Sequence, residues 1–271
     1  MIDLKKKSYE VRKRALKMIF DAKTGHTGGA LSSTDILTTL FYSVMKFDVN
    51  DPQWPDRDRF ILSKGHSVEP YYTILADIGF IEDKELDTFS QFGTRLIGHP
   101  NNKVPGVEMN SGALGHGLSV GTGMALAAKL DKKDYRVFVL MGDGEQAEGS
   151  NWEAAMAAGH YKLDNLWAII DRNGLQISGN TEDVMTLEPL NKKWEAFGFH
   201  VVEVDGHEHR QIEDALKTQC QGKPTLIIAN TVKGRGISYM EGIAKWHHGV
   251  PEKDMYNKAI NELEEVIRTC K

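Results

Sequence analysis

Val137-Phe138-Val139-Leu140-Met141 runs into Gly142-Asp143-Gly144, and Leu166-Trp167-Ala168-Ile169-Ile170 runs into Asp171-Arg172-Asn173. Each run is short, apolar throughout and stopped by polar residues, which is how parallel strands buried on both faces read in a sequence. The pattern predicts strands over 136–141 and 166–171, joined by a helix over 151–161. The same rhythm continues with strands over 199–204 and 225–230 and helices over 187–197 and 209–219. A last helix is expected after Pro251, with Ile260, Leu263 and Ile267 on one face. These elements predict an α/β fold: a doubly wound, mainly parallel sheet with helices on both faces, whose ligands bind outside the carboxyl ends of the strands.

Toward the N-terminus, Leu4, Val11, Ala15, Met18 and Ala22 share a helical spacing that ends near Gly25. A second helix is expected to follow Ser33, from Thr34 to Lys46. Residues 49–67, rich in Asp and Pro, read as a loop containing the short apolar stretch Arg59-Phe60-Ile61-Leu62-Ser63. With no internal repeat or Ser/Pro-rich linker, one continuous domain over residues 1–271 is expected. The chain is 41% hydrophobic with a net charge of −5. That balance excludes a disordered or fibrous chain and speaks against nucleic acid or an anionic membrane as partner. No membrane span or signal peptide is legible, and Cys220 and Cys270 form no CxxC pair, so a reducing cytoplasm is expected. What remains to be explained is 26 glycines and 10 histidines, many of them adjacent.

Two adjacent strand ends can present oxygen ligands to one point. Asp143, the side-chain carbonyl of Asn173 and a backbone carbonyl just beyond it would make a hard, all-oxygen set for Mg²⁺ or Ca²⁺, which commonly bridges a carboxylate to a diphosphate. Taken alone, Gly-Asp-Gly serves equally well as a helix cap between permissive glycines. Gly115, Gly117 and Gly121 approximate a dinucleotide fingerprint, but the preceding 102–107 segment is a poor strand, and no P-loop pattern occurs. Lys233-Gly234-Arg235-Gly236 reads as a turn after the 225–230 strand, with anion contact as the lesser alternative.

Gly142-Asp143-Gly144, followed after 28 residues by Asn173, resembles the thiamine diphosphate motif. The wider stretch through Gly149, together with Asp171-Arg172-Asn173, is similar to the form found in the transketolase family. Four histidine elements extend the resemblance along the chain: Gly25-His26-Thr27-Gly28, Ser63-Lys64-Gly65-His66, Gly98-His99-Pro100 and His248-Gly249-Val250-Pro251. The resemblance implies that Asp143, Asn173 and the carbonyl of Leu175 hold the divalent ion. It implies that His66, His248 and the Gly144 N–H contact the diphosphate, with His247 as the alternative one residue away, and that Gly142 belongs to the same loop. Gly112 and Leu114 would lie near the aminopyrimidine, with His116 as a further contact, and Ile177 against the apolar middle of the cofactor. His26 and His99 would face sugar oxygens, and His248 is counted with them as a catalytic histidine. Asp171 would orient the loop. Glu148 and Glu153 match acidic positions between subunits, although acids at a helix start are also favoured by the macrodipole.

The family's glutamate that activates the aminopyrimidine, and its sugar-phosphate residues, belong to a second domain that has no counterpart in these 271 residues. The expectation is therefore the N-terminal, diphosphate-binding subunit of a split transketolase. It would transfer a two-carbon ketol unit between sugar phosphates once joined by a C-terminal, pyrimidine-binding subunit in an α2β2 assembly. The alternatives are another thiamine diphosphate enzyme subunit, of the deoxyxylulose-phosphate synthase or 2-oxo acid dehydrogenase kind or specialised for an unusual ketose, or a non-catalytic cofactor-binding paralogue.

Overall fold

In the computed structural model, which describes residues 2–270, both apolar runs are strands and pair with each other in parallel. The five-stranded sheet comprises β1 (Arg59–Leu62), β2 (Val137–Gly142), β3 (Leu166–Arg172), β6 (His200–Asp205) and β7 (Thr225–Asn230), in the order β1-β2-β3-β7-β6 with every pairing parallel. A small antiparallel hairpin, β4 (Leu175–Gln176) with β5 (Gly179–Asn180), follows β3. The helices are α1 (Leu4–Ala22), α2 (Thr27–Thr39), α3 (Val68–Ile78), α4 (Gly117–Leu130), α5 (Gly149–His160), α6 (Thr181–Val184), α7 (Leu190–Ala196), α8 (His209–Lys217) and α9 (Lys253–Thr269).

Alternation along the strands explains why they read as unbroken apolar runs. Phe138, Leu140, Trp167, Ile169 and Ile227 enter one core, which α2, α3 and α8 cover. Val139, Met141, Ala168, Ile170 and Ile228 enter a second core on the opposite face, which α4, α5 and α7 cover. A third cluster docks α9 onto α1 through Leu16, Ala259 and Leu263. Helices thus lie on both faces, as expected. The order of strands advances from β1 to β3 and then reverses between β3 and β7, so the crevice for a ligand opens where these carboxyl ends diverge.

Two expectations need correction. The 59–63 stretch is not loop but the edge strand β1, registered Arg59 to Val137 through Leu62 to Leu140. Four residues between polar neighbours carry too little periodicity to reveal a strand; Asp58 seats it by accepting N–H groups from Lys46 and Arg136. The second helix starts at Thr27 rather than Thr34, ending in a π turn over Leu40–Val44. Ser33 lies inside it. The hydroxyl of Ser33 donates back to the Gly29 carbonyl and that of Thr34 to the Ala30 carbonyl, inside the helix. Every residue of α2 is buried, so the helix has no polar face to mark its start.

The approach of α5 to the turn after α7 depends on Gly159. A Cβ there would overlap the carbonyl oxygen of Phe197. Gly159→Ala is expected to destabilise the fold by at least about 1–3 kcal/mol, the range for forced overpacking, measured by urea unfolding; an unchanged midpoint would contradict the contact.

Candidate active site

Four of the five strand ends deliver side chains to one cavity of about 400 Å³, a size suited to a cofactor-sized molecule. Lys64 and His66 follow β1, Asp143 and Gly144 follow β2, Asn173 follows β3 and Lys233 follows β7; His26, His99, Gly112, Leu114 and His247 close it from the loops. Gly142, Leu175 and Ile177 also line it. Of the site residues expected from the sequence, His248 and Glu148 stand outside the lining, as do the lesser candidates His116, Asp171 and Glu153.

At the floor, the Asp143 carboxylate accepts the N–H of Gly144 at 2.7 Å and that of Gly174 at 2.6 Å. Burial first, then the charge of Asp171, push its pKa up; the two N–H groups and Arg172 only partly oppose this. A carboxylate in that position gains from a cation. Gly174 adopts φ +77, the left-handed turn that folds the chain back from Asn173 to Leu175. The Asn173 side chain donates toward Asp171 Oδ2 at 3.3 Å, while its Oδ1 accepts the N–H of Leu175 at 3.1 Å and keeps a second lone pair. The Leu175 carbonyl faces a cation already, accepting from Lys233 Nζ at 2.9 Å. Asp143, Asn173 and Leu175 thus line one cavity and carry a carboxylate, an amide oxygen and a backbone carbonyl, donors of the hard, all-oxygen kind.

Above this floor sit neutral imidazoles. Burial foremost, then the neighbouring His248, His99, Lys233 and Lys64, lower His26 to about 4. Burial, Lys233 and His26 lower His247 to about 3. Burial also lowers His66 and His99. A neutral ring can donate from one nitrogen and accept at the other. The His247 ring stacks on His66 at 5.3 Å, and its buried Nδ1 has no partner among the described residues.

His248 instead lies edge-on against His26, 4.6 Å away, and is absent from the lining. His247 ends a 3₁₀ turn and His248 is extended at φ −132, so the two consecutive rings leave the backbone in different directions. Glu148 is exposed at the N-cap of α5, where its Cβ stands against Gly115. Glu153 is also exposed on α5.

Three buried charged residues were not singled out by the sequence as parts of the site. Glu145 fastens three loops: it accepts from the Ser63 hydroxyl, from Gly115 N–H at 2.8 Å and from Gly142 N–H at 3.0 Å. Lys64 pairs with Asp171 and donates to the Gly29 carbonyl at 3.1 Å. Lys233, expected chiefly as part of a turn, points into the cavity and is held at about 8, mainly by burial and then by Lys64. Each stands inside a segment quoted for another reason, and a charged residue next to glycine was the available signal. Asp171 accepts from Ser32 at 2.6 Å and from Thr231, and its Oδ2 faces the Asn173 side-chain amide at 3.3 Å.

The family profile described as transketolase, thiamine diphosphate binding domain, matches residues 5–263. The chain belongs to the transketolase family. Among relatives, one subunit of an apulose-4-phosphate transketolase from Phocaeicola vulgatus is 53% identical over 269 residues, covering 97% of this chain and 95% of that protein. The 6-deoxy-6-sulfo-D-fructose transketolase subunit SqwG of a Clostridium species is 42% identical, at 97% of each chain. The solved transketolase of Campylobacter jejuni superposes with a TM-score of 0.91 at 32% identity; the match covers 97% of this chain and 43% of that one. The fold implied by the family resemblance is the fold observed. In the described residues no helix is long and apolar enough to cross a membrane.

Proposed function

We propose that this transketolase-family chain is the diphosphate-binding subunit of a two-chain enzyme that moves a two-carbon ketol unit from a ketose phosphate to an aldose phosphate. Residues 1–271 then form one domain, completed by a C-terminal, pyrimidine-binding subunit in an α2β2 assembly. The observation that carries the reading is the convergence of Asp143, Asn173 and the Leu175 carbonyl beneath neutral histidines in one cavity. Two relatives matched over nearly their whole length and named as transketolase subunits support the division into two chains.

The donor set fits Mg²⁺ or Ca²⁺, and the unpartnered Nδ1 of His247 and the absence of a side chain at Gly144, where a Cβ would lie 2.7 Å from Gln176 Oε1, fit a diphosphate. Bound thiamine diphosphate would supply an electron sink for the two-carbon fragment. Asp143, Asn173 and Leu175 would hold the ion. His66, His247, Lys233 and the Gly144 N–H would bind the diphosphate, so the contact first expected of His248 passes to His247. Gly112 and Leu114 would flank the pyrimidine, and Ile177, exposed at the tip of the β4–β5 hairpin, would cover the apolar middle. His26 and His99, neutral at pH 7, can each accept a hydrogen bond from a sugar hydroxyl at one ring nitrogen and donate one to a carbonyl oxygen from the other.

The purified chain alone is expected to transfer no ketol unit, and addition of its complementary subunit should restore transfer. Apulose 4-phosphate is the first donor to assay, given the Phocaeicola relative. Transfer between sugar phosphates by this chain without a partner would overturn the two-chain reading.

A further inference from the structure

Behind His26 lies a carboxyl group that the reaction as proposed leaves unused. Glu69, in the first turn of α3, is fully buried. Its Oε1 accepts the backbone N–H of His26 at 3.0 Å, and its Oε2 has no hydrogen-bond partner among the described residues. The loop is pressed onto this carboxyl: a Cβ on Gly25 would stand 2.7 Å from Glu69 Oε1 and 2.6 Å from the Ile19 side chain of α1. On its other side the loop is tied to Gly249, whose N–H donates to the Gly25 carbonyl at 3.3 Å and whose carbonyl accepts from the Thr27 hydroxyl at 2.5 Å. His26 is therefore clamped between α3 and the segment after His248.

We infer that Glu69 is a positioning residue for His26, acting through the His26 N–H, and that the carboxyl proton sets how firmly the loop holds the imidazole. The inference rests on the reading of His26 as a substrate-facing ring. Burial raises Glu69 to about 7, opposed by its own backbone N–H, that of His26 and the Lys64 ammonium. Beside Glu69 at Gly25, α1 presents the apolar Ile19, and Tyr72 of α3, uncharged near neutral pH, also interacts with the carboxyl, so Lys64 is the charge that acts on it. Near neutral pH both protonation states are populated. The ionised form makes the stronger, charge-assisted bond to the His26 N–H, and the neutral form the weaker one.

The test follows the His26 amide by ¹⁵N–¹H NMR in the chain alone from pH 5 to 9, needing neither partner nor turnover; failure here would leave the transketolase reading standing. In the wild type the amide proton should move downfield as pH rises, with a midpoint at about 7. Glu69→Gln keeps an acceptor but cannot titrate, so that movement should vanish, while any contribution from His66, His99, His247 or His248 would persist. Glu69→Met removes the acceptor and should speed hydrogen exchange at His26 about tenfold, the worth of one buried hydrogen bond. The Gly234 amide, bonded to the Gly28 carbonyl at 3.0 Å, controls for general loosening. A His26 amide indifferent to pH in the wild type, or titrating unchanged in Glu69→Gln, would overturn the inference, as would equal exchange in Glu69→Met.

Discussion

Asp143→Asn is expected to abolish divalent-dependent retention of thiamine diphosphate, weakening it by more than about 100-fold. Residues that only support a metal ligand are worth roughly 10- to 100-fold, and Asp143 is the sole carboxylate in the proposed donor set. The substitution preserves shape, so its cost to the fold is small. One of the two N–H groups now bonded at 2.7 and 2.6 Å would face an amide NH₂, a loss of about 1–3 kcal/mol. Circular dichroism should show a folded protein while calorimetry at fixed Mg²⁺ shows no binding. An unchanged Kd would remove Asp143 from the ligand set and with it the observation on which the proposed function stands.

The fold, and the placing of Asp143, Asn173 and Leu175 in one cavity, were legible because both rest on local pattern. Strands β2 and β3 are buried on two faces, hence apolar over 137–141 and 166–170, and each runs into polar residues that line the cavity or support its lining. The same burial concealed α2, since a helix enclosed on all sides has no polar stripe, and its serines bond inward like residues of a helix interior. Strand β1 was too short to show a period. Glu145 and Lys64 were invisible for a different reason: their partners Ser63, Gly115 and Asp171 lie 30 to 107 residues away, and nothing local marks a charge as buried. That His247 and not His248 lines the cavity turns on one residue of backbone direction, which a motif with doubled histidines cannot express.

Lys64→Met should destabilise the protein by about 3–5 kcal/mol, the cost of leaving a buried charge without its partner. Asp171 is completely buried. Burial opposes its ionisation, yet the Lys64 ammonium, together with hydrogen bonds from Lys64, Ser32 and Thr231, brings its pKa below the ordinary value of 3.8. In the wild type this group therefore adds stability at pH above 3.8, and that contribution is lost as pH falls further. Without the ammonium the sign reverses. A buried, unpaired carboxylate has a raised pKa, so Lys64→Met should lose stability as pH climbs from 4 to 8. Urea unfolding at pH 5 and pH 8 would measure both the loss and its slope. Adding Asp171→Asn should recover part of the loss and flatten the slope, because the residual amide carries no charge; the coupling between the two substitutions is the pair's own contribution. The cofactor site should suffer in parallel: Asn173 is steered by Asp171 Oδ2, and the Gly29 carbonyl loses one of its donors. If Lys64→Met unfolded at the same urea concentration as the wild type at both pH values, the buried pair would be no anchor of the site.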